Sequence, residues 1–500
     1  MVGFRLSSLG WHLHLYNSAF YFGAIAPQSP RRDTTTSGGA PTSSTLQHLS
    51  IVNGAGLRPS VRRRIAALRN LIRSRIHSTS RHLPGILHVV HGRRGGTEKY
   101  VQELINATRA ECRHYLLRIT HDSWRVIDLN GAVQATYGFR PGRENPEDDW
   151  LAALCSWLRI GLIHVHSLVD GGDDLAPMLE RTAIPYCYTV WDMYLPCPTV
   201  MLIDSAGVYC NATTDSTACT RCLAKFDGLD KIDIVAWRRR HSAFLRRASK
   251  VFAPSRWAGD TLAKYFPEIR IDVSPPRPAH LPQQPQRRAS NVFELPDDGS
   301  RHIGVLGAIG AEKGARHIEA LAQRIRERNL PLRIVVVGYT DRTKWHQAPD
   351  RVLTVHGHYE ESEVNSLLDH YRIAMLIFPT VWPETFSYTL SEGWNAGRPA
   401  LVPPVGALQE RVSASGGGWI MSGWPDTDAV LDQLLVLTAT ENAPELERRG
   451  RLGAAAAAIE ADVPEPMRRH YPEMLAQSRI RGRAIALSRI YRAALQGVGM

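Results

Sequence analysis

Two glutamates, Glu384 and Glu392, lie in one short stretch, Pro379–Gly397, that also contains a Trp-Pro turn. On a continuous helix, their spacing of eight residues would separate them by roughly 12 Å along the axis. The two carboxylates of a retaining glycosidase need roughly 5–5.5 Å between them. A separation of roughly 12 Å instead suits a sugar joined to a diphosphate, with one carboxylate on sugar hydroxyls and the other on a ribose.

The elements around these glutamates are predicted from local signals. The apolar run Ile373–Phe378 predicts a buried strand that stops at Pro379, and the residues from Thr385 onward favour a helix that Gly397 ends. Strand, turn and helix form half of a βαβ unit, and the loop of such a unit lies where parallel α/β sheets bind ligands. The helix N-terminus offers free N–H groups to a phosphate.

A second candidate lies earlier, where the strand pattern Gly304–Gly310 enters the turn Ala-Glu-Lys313-Gly314. A lysine in such a loop can neutralise a departing diphosphate, although a solvated surface lysine is the alternative. A similar strand, Ile86–Val90, precedes a glycine-rich turn with Gly95 and Gly96, which lets a ligand approach the backbone. The turn matches neither the Walker A pattern nor Gly-x-Gly-x-x-Gly.

Histidines and cysteines supply two more candidates in the first half of the chain. The strand pattern Leu162–His166 alternates, so His164 and His166 share one face, with His166 at the carboxyl end. A ligand contact and a hydrogen-bonded core histidine are both open readings of His166. A cysteine-rich segment has the ligand supply of a structural zinc site, and reduced, unliganded cysteines are the alternative. These four residues are Cys197, Cys210, Cys219 and Cys222.

Composition restricts the class of protein. Of 500 residues, 44% are hydrophobic and 22% charged, as in ordinary globular proteins, and no run of 18 apolar residues predicts a membrane span. The net charge of +12 comes mainly from residues 1–82, with eleven arginines and one acidic residue, Asp33. We therefore do not expect nucleic-acid binding. Seven cysteines, an odd number, favour a reducing compartment.

The segment at 61–76 within the basic region has its own pattern. Val61, Ile65, Leu68, Ile72 and Ile76 share one helical face, and most arginines lie off it. Such a helix can lie on an anionic membrane surface, and a basic linker helix is the alternative reading. We expect a cytoplasmic protein with peripheral contact at the inner membrane face through residues 61–76.

Strands alternating with helices predict an α/β chain with two doubly wound parallel sheets. Composition and the segments that break the strand–helix pattern divide the chain into a basic extension, two domains, a linker rich in Pro, Gln and Arg, and a C-terminal helix. The expected boundaries are 1–82 for the extension, 83–273 for the first domain with its cysteine-rich insert at 197–222, 274–300 for the linker, 301–462 for the second domain and 463–500 for the helix.

The motif Trp-Pro-Glu384-Thr-Phe-Ser-Tyr-Thr-Leu-Ser-Glu392, followed by Gly397-Arg-Pro, resembles the donor-sugar signature of retaining GT-B glycosyltransferases of the GT4 type, known as glycosyl transferases group 1. The resemblance covers about residues 85–495. It implies a GT-B fold of two Rossmann-like domains facing a cleft, with the C-terminal helix crossing back to the first. It also implies that Glu384 contacts the donor sugar and Glu392 the nucleotide ribose.

The resemblance also gives roles to the other candidates. His166 would touch the donor sugar, and Gly95 and Gly96 would close over the phosphates together with the helix start. Lys313 would grip the diphosphate. Two departures stand out: Ala308 replaces the usual phosphate-binding arginine, and Trp191 stands where relatives often carry histidine. The helix-start residues in question are Phe386, Ser387, Tyr388 and Thr389.

These features predict an enzyme that transfers a sugar from a nucleotide-diphosphate sugar to an unidentified saccharide or lipid acceptor, without a catalytic metal or cofactor. Polysaccharide or glycolipid synthesis would be its setting. A GT-B sugar-nucleotide epimerase would share the donor site but form no glycosidic bond. A catalytically weakened sugar-nucleotide-binding protein is the alternative outside enzymes, since Ala308 and Trp191 both depart from the pattern.

Overall fold

The computed structural model describes residues 83–92, 95–120, 124–129, 135–139, 150–277, 292–341, 352–462 and 466–476. The predicted extension 1–82, with the basic segment 61–76, lies outside these residues, as does most of the predicted linker. Within the described residues the chain forms two α/β units, each built on one sheet.

The sheet of the first unit has eight strands in the order β4-β3-β2-β1-β5-β6-β7-β8. Its central strands are buried because helices cover both faces of a largely parallel sheet. The strands are β1 (Gly85–His91), β2 (Arg113–Ile119), β3 (Trp124–Asp128), β4 (Ala135–Phe139), β5 (Ile160–Val165), β6 (Tyr186–Thr189), β7 (Lys250–Ala253) and β8 (Ile271–Val273).

The predicted doubly wound parallel sheet is confirmed in this unit, with two antiparallel strands added at one edge. Strand β3 pairs antiparallel with β2, and β4 pairs antiparallel with β3. Only four residues separate Ile119 from Trp124. A parallel crossover needs about a dozen residues or more, so a connection this short can only return as a hairpin.

Helices follow most strands of the first unit. Ser255 caps one of them as its sequence suggests, because its side chain accepts a hydrogen bond from the Ala258 amide. The helices are α1 (Gly96–Thr108), α2 (Trp150–Leu158), α3 (Gly172–Thr182), α4 (Ser216–Leu223), α5 (Ile234–Arg247) and α6 (Arg256–Tyr265).

The sheet of the second unit has six strands, all parallel, in the order β11-β10-β9-β12-β13-β14. The strands are β9 (Arg301–Ile309), β10 (Leu332–Thr340), β11 (Leu353–Val355), β12 (Ile373–Ile377), β13 (Ala400–Val402) and β14 (Gly418–Ile420). The helices are α7 (Ala315–Glu327), α8 (Val364–His370), α9 (Tyr388–Asn395), α10 (Gly406–Ser415), α11 (Thr427–Leu437) and α12 (Ala443–Asp462).

Residues 467–476 form a final helix, α13, that lies on the first unit. Tyr471, Met474 and Leu475 are buried in the apolar cluster that contains Ile86 and Leu162. The Tyr471 hydroxyl lies 2.7 Å from His164 Nδ1, which fixes the helix against strand β5. No helix among the described residues combines the length and apolar character needed to cross a bilayer.

Candidate active site

The turn after β12, which we call the donor turn (Pro379–Ser387), is fastened to the loop after β9. The Thr380 hydroxyl and the Val381 amide both donate to the Glu312 carbonyl, at 3.1 and 3.0 Å. Gly314 has φ +86°, and a Cβ there would lie 1.8 Å from the Pro379 carbonyl oxygen. Only glycine permits this approach, so the loop that carries Lys313 lies directly against the donor turn.

Glu384 lies in the middle of the donor turn and is 6% exposed. Its carbonyl accepts a hydrogen bond of 2.8 Å from the Ala407 amide, at the start of α10. Lys313 Nζ lies 3.4 Å from Glu384 Oε1. The site thus places a carboxylate, an acceptor for hydroxyl groups, beside a cation suited to phosphate.

The helix after the donor turn begins at Tyr388, three residues later than its sequence predicts. Ser387 has φ +74°, and its side chain contacts the Thr389 hydroxyl instead of capping the helix. Glu384 and Glu392 therefore do not lie on one continuous helix, and the premise behind their separation of roughly 12 Å is wrong. The first backbone N–H groups of α9 receive no cap from Ser387, which leaves this helix start suited to an anion.

Arg411, on α10, holds the same turn through hydrogen bonds. Its guanidinium donates to the carbonyls of Phe386 and Ser387 at 3.1 and 2.7 Å and to the Ser391 hydroxyl at 2.6 Å. It also pairs with both oxygens of Glu460, at 3.2 and 2.7 Å. Burial lowers the pKa of Arg411, and the Glu460 carboxylate opposes that shift. The bonds to two successive carbonyls fix the backbone where α9 begins.

Glu392 lies one turn into α9 and meets a cation from the first unit. Lys99 Nζ, on α1, lies 3.0 Å from Glu392 Oε1 and 2.5 Å from Glu361 Oε1. The Tyr359 hydroxyl also bonds the Glu392 side chain. Burial raises the pKa of Glu392 and the charge of Glu361 adds to the rise, whereas Lys99 and Lys313 lower it.

The residues at the start of α9 lie on the first unit. A Cβ on Gly96 would lie 3.3 Å from the Tyr388 ring, and the Tyr388 hydroxyl donates to Glu103 at 3.0 Å. Phe386 packs against Tyr388, and both belong to the apolar cluster of the first unit. Gly95 is exposed, and a Cβ there would meet no atom within 4 Å apart from its chain neighbours. The glycine-rich turn and the donor turn thus come together.

His166 follows strand β5 and is fully buried. The predicted shared face of His164 and His166 is observed, since their ring centroids are 3.9 Å apart. His166 Nε2 lies 3.1 Å from His88 Nδ1, and His166 Nδ1 has no hydrogen-bond partner among the described groups. Burial and the neighbouring histidines hold the pKa of His166 well below its ordinary value. It therefore remains neutral, and one of its ring nitrogens can accept a hydrogen bond.

The four cysteines of the predicted zinc site lie in one irregular segment and α4, and all are reduced. Cys197 Sγ faces the Thr199 hydroxyl at 3.3 Å, and Arg238 donates to Cys219 Sγ at 3.1 Å. Burial raises the pKa of Cys197 to about 11, and the nearby Cys210 and Cys219 contribute. Within the described ranges, only His88, His164 and His166 bring three ligand atoms within 4.8 Å of one another. The cysteines are neighbours, but their sulfurs do not converge as closely.

Three residues of the site were not found by sequence reasoning: Lys99, Tyr359 and Arg411. Lys99 and Glu392 are 293 positions apart, so no local pattern pairs them. Lys99 does lie three residues after Gly96 of the glycine-rich turn, which is a weak signal for it. Arg411 has the sequence context of an ordinary helix arginine, and its role depends on the packing of α10 under the donor turn.

Residues 300–440 match the family model described as Glycosyl transferases group 1. This match spans the sheet of the second unit and both glutamates. The second unit is thus similar to glycosyl transferases group 1 over these residues. The match and the fold together confirm the predicted resemblance to this family and the prediction that the protein is a glycosyltransferase.

Solved structures confirm the GT-B fold over most of the chain. Sucrose-phosphate synthase from Thermosynechococcus elongatus is similar, with a TM-score of 0.51 and 14% identity over 83% of this chain and 100% of that one. A glycosyltransferase from Rickettsia africae has a TM-score of 0.52 and 12% identity over 79% and 99%. Anabaena HepE, in complex with UDP and glucose, has a TM-score of 0.50 and 14% identity over 79% of this chain and 100% of that one. No curated protein matches the chain.

Proposed function

We propose that the protein transfers a sugar from a nucleotide-diphosphate sugar to a saccharide or lipid acceptor with retention of anomeric configuration. The observation that carries the proposal is the pair of charged contacts on the donor turn and α9. Glu384 and Lys313 lie 3.4 Å apart at one end, and Glu392 and Lys99 lie 3.0 Å apart at the other. The match with glycosyl transferases group 1 covers three of these four residues.

We assign each group a task in this reaction. Glu384 accepts hydrogen bonds from sugar hydroxyls and orients the ring, while Glu392 does the same for the ribose. Lys313 and the N–H groups at the start of α9 stabilise the charge that grows on the departing diphosphate. We name no general base among these side chains, because the acceptor hydroxyl can lose its proton to the leaving phosphate itself.

Ala308 lies at the end of β9, opposite Tyr339 on β10, where the group 1 pattern has an arginine. A weakened sugar-nucleotide-binding protein therefore stays a second candidate. A screen of UDP-, ADP- and GDP-sugars by thermal shift, followed by an assay for transferred sugar, tests the proposal. A shift together with a glycosidic product is expected. Binding without turnover would favour the binding protein, and formation of an isomerised nucleotide sugar would favour the epimerase. The absence of a thermal shift with every donor would reject all three functions.

The Lys99–Glu392 pair predicts a pH effect on nucleotide binding. Lys99 lowers the pKa of Glu392 against the rise that burial causes. The Lys99→Met variant lacks this lowering effect, so the pKa of Glu392 is higher than in the wild type. Glu392 therefore takes up its proton at a higher pH. We expect the affinity for nucleoside diphosphates to drop about tenfold, or about 1.4 kcal/mol. We also expect the loss of affinity at acidic pH to begin at a higher pH than in the wild type.

Calorimetric titration of UDP, ADP and GDP from about pH 5 to 8 measures this shift. The matched control is Lys264→Met, because Lys264 is exposed on α6. A Lys99→Met profile that coincides with the wild type would show that Lys99 does not tune Glu392.

We also propose a structural zinc held by Cys197, Cys210, Cys219 and Cys222. The support is chemical, since four thiols near one another are a common zinc donor set. Binding would require these thiols to lose their protons, and burial opposes this at Cys197, where it raises the pKa of the thiol to about 11. Metal analysis of chelator-free protein is expected to find one zinc per chain, and less than about half an equivalent would count against the site.

For residues 61–76 we propose peripheral contact with an anionic membrane at its cytoplasmic face. The support is the apolar face and flanking arginines of that segment. The full chain is expected to sediment with vesicles that contain phosphatidylserine. A chain lacking residues 1–82 is expected to stay in the supernatant, and equal sedimentation of the two would remove the idea.

A further inference from the structure

Buried side chains form a hydrogen-bonded row beneath His166. His166 Nε2 lies 3.1 Å from His88 Nδ1, and His88 Nε2 lies 3.0 Å from His114 Nδ1. His114 Nε2 lies 3.2 Å from the Thr108 hydroxyl, which lies 2.7 Å from the Leu104 carbonyl. Strands β2, β1 and β5 are neighbours, which brings the three histidines together.

The row has one direction, because its far end is an acceptor only. The Leu104 carbonyl cannot donate, so the Thr108 hydroxyl donates to it and accepts from His114 Nε2–H. His114 Nδ1 is therefore the acceptor for His88 Nε2–H, and His88 Nδ1 is the acceptor for His166 Nε2–H.

This assignment requires neutral rings, and burial keeps them neutral. Burial lowers the pKa of His114 to about 4 and holds the pKa of His88 and of His166 well below the ordinary range. Each ring then has one N–H and one lone pair. The lone pair of His166 falls on Nδ1, the atom without a partner in the described part of the chain.

The surroundings of His166 place this lone pair near the donor turn. The Tyr100 ring packs on His166 at 5.8 Å between centroids and on Trp191 at 4.8 Å. The Trp191 carbonyl accepts from the Thr385 hydroxyl at 3.1 Å, next to Glu384 in sequence. Trp191 Nε1 is also buried without a partner among the described groups. An unmatched acceptor and an unmatched donor thus flank one aromatic ring beside the predicted sugar site.

A metal site is the competing use of these rings, since nitrogens of His88, His164 and His166 lie within 4.8 Å of one another. Both nitrogens of His164 face hydroxyls at 2.7 Å, from Tyr471 and Thr189. Both nitrogens of His88 face other histidines. Only His166 Nδ1 is left for a ligand, so a shared ion would have to break existing bonds.

We propose that His88, His114 and Thr108 are positioning residues that hold His166 as its Nε2–H tautomer, so that Nδ1 accepts a hydrogen bond from a hydroxyl of the sugar substrate. The second half rests on the proposed function, whereas the first half does not. The tautomer can therefore be tested without turnover, and an inactive protein would leave that test intact.

The test is long-range proton–nitrogen NMR on the full chain labelled with ¹⁵N-histidine, with signals assigned through single His→Gln variants. The expected spectrum shows His166 with a protonated Nε2 and an unprotonated Nδ1. A protonated Nδ1 in the wild type would overturn the proposal. If the signals of His88, His164 and His166 shift together on addition of zinc chloride, these residues form a metal site and the proposed hydrogen-bonded row is wrong.

Two further samples test the positioning and the ligand. His88→Leu is expected to leave His166 as a mixture of tautomers, whereas His302→Leu, at a buried histidine of the second unit, is expected to leave it unchanged. If His88→Leu folds and keeps a single tautomer, the positioning role is wrong. UDP-, ADP- and GDP-glucose are the ligand probes, and a probe that binds is expected to move the His166 Nδ1 signal. Binding with no movement would reject the hydroxyl contact alone.

Discussion

Replacing Glu384 with glutamine is expected to lower kcat of sugar transfer by about 10²–10³-fold, the range found when one oriented polar contact to a reacting group is lost. The amide keeps the shape of the side chain but removes the charge that faces Lys313 at 3.4 Å. Lys313 would then lose the partner that holds it beside the diphosphate. Steady-state kinetics with the donor found by thermal shift measure the effect.

The matched control for this change is Glu441→Gln, at an exposed position of the second unit. We expect its kcat to equal that of the wild type, and circular dichroism of both variants to be unchanged. Near-normal transfer by the folded Glu384→Gln variant would mean that the charge of Glu384 is not needed to hold Lys313 in place for the reaction.

Replacing Arg411 with methionine is expected to lower the free energy of unfolding by about 3 kcal/mol, the lower end of the cost of breaking a buried ion pair. We take the lower end because the Glu460 side chain is 21% exposed and can be partly hydrated. The change would also leave the carbonyls of Phe386 and Ser387 without this donor. Urea unfolding measures the loss, and weaker nucleotide binding by the folded fraction is expected with it.

Arg451→Met is the comparison for this variant, because Arg451 lies on α12 and pairs with Glu447 at the surface. An exposed pair of this kind contributes about 0–1 kcal/mol. If the two variants unfold at the same urea concentration, Arg411 does not hold the donor turn in the way its contacts indicate.

The local parts of the site were predictable, and the contacts between distant segments were not. The apolar run of β12 and the glycine after Lys313 are signals within a few residues, and the structure has the strand and the turn at those positions. The sequence predicts the start of α9 too early, because the bonds from Arg411 and the φ of +74° at Ser387 have no local signature. Propensity alone therefore extended the helix backward to Thr385.

The same distinction explains the histidines. Alternation within one strand was enough to put His164 beside His166. The partnership with His88 and His114 depends on the order of β2, β1 and β5 in the sheet, which a single sequence does not specify. The antiparallel edge is different, because the four residues between Ile119 and Trp124 are too few for a parallel crossover and already indicate a hairpin in the sequence.

The bonds of Arg411 have a consequence for chimeric glycosyltransferases. A segment exchange that moves residues 379–397 into another scaffold would transfer Glu384, Glu392 and the start of α9 as written. It would leave behind the guanidinium that bonds two of the segment's carbonyls and the Glu460 carboxylate that bonds the guanidinium. The smallest portable unit therefore runs from the donor turn through the end of α12, more than four times the length of the motif by which the site is found.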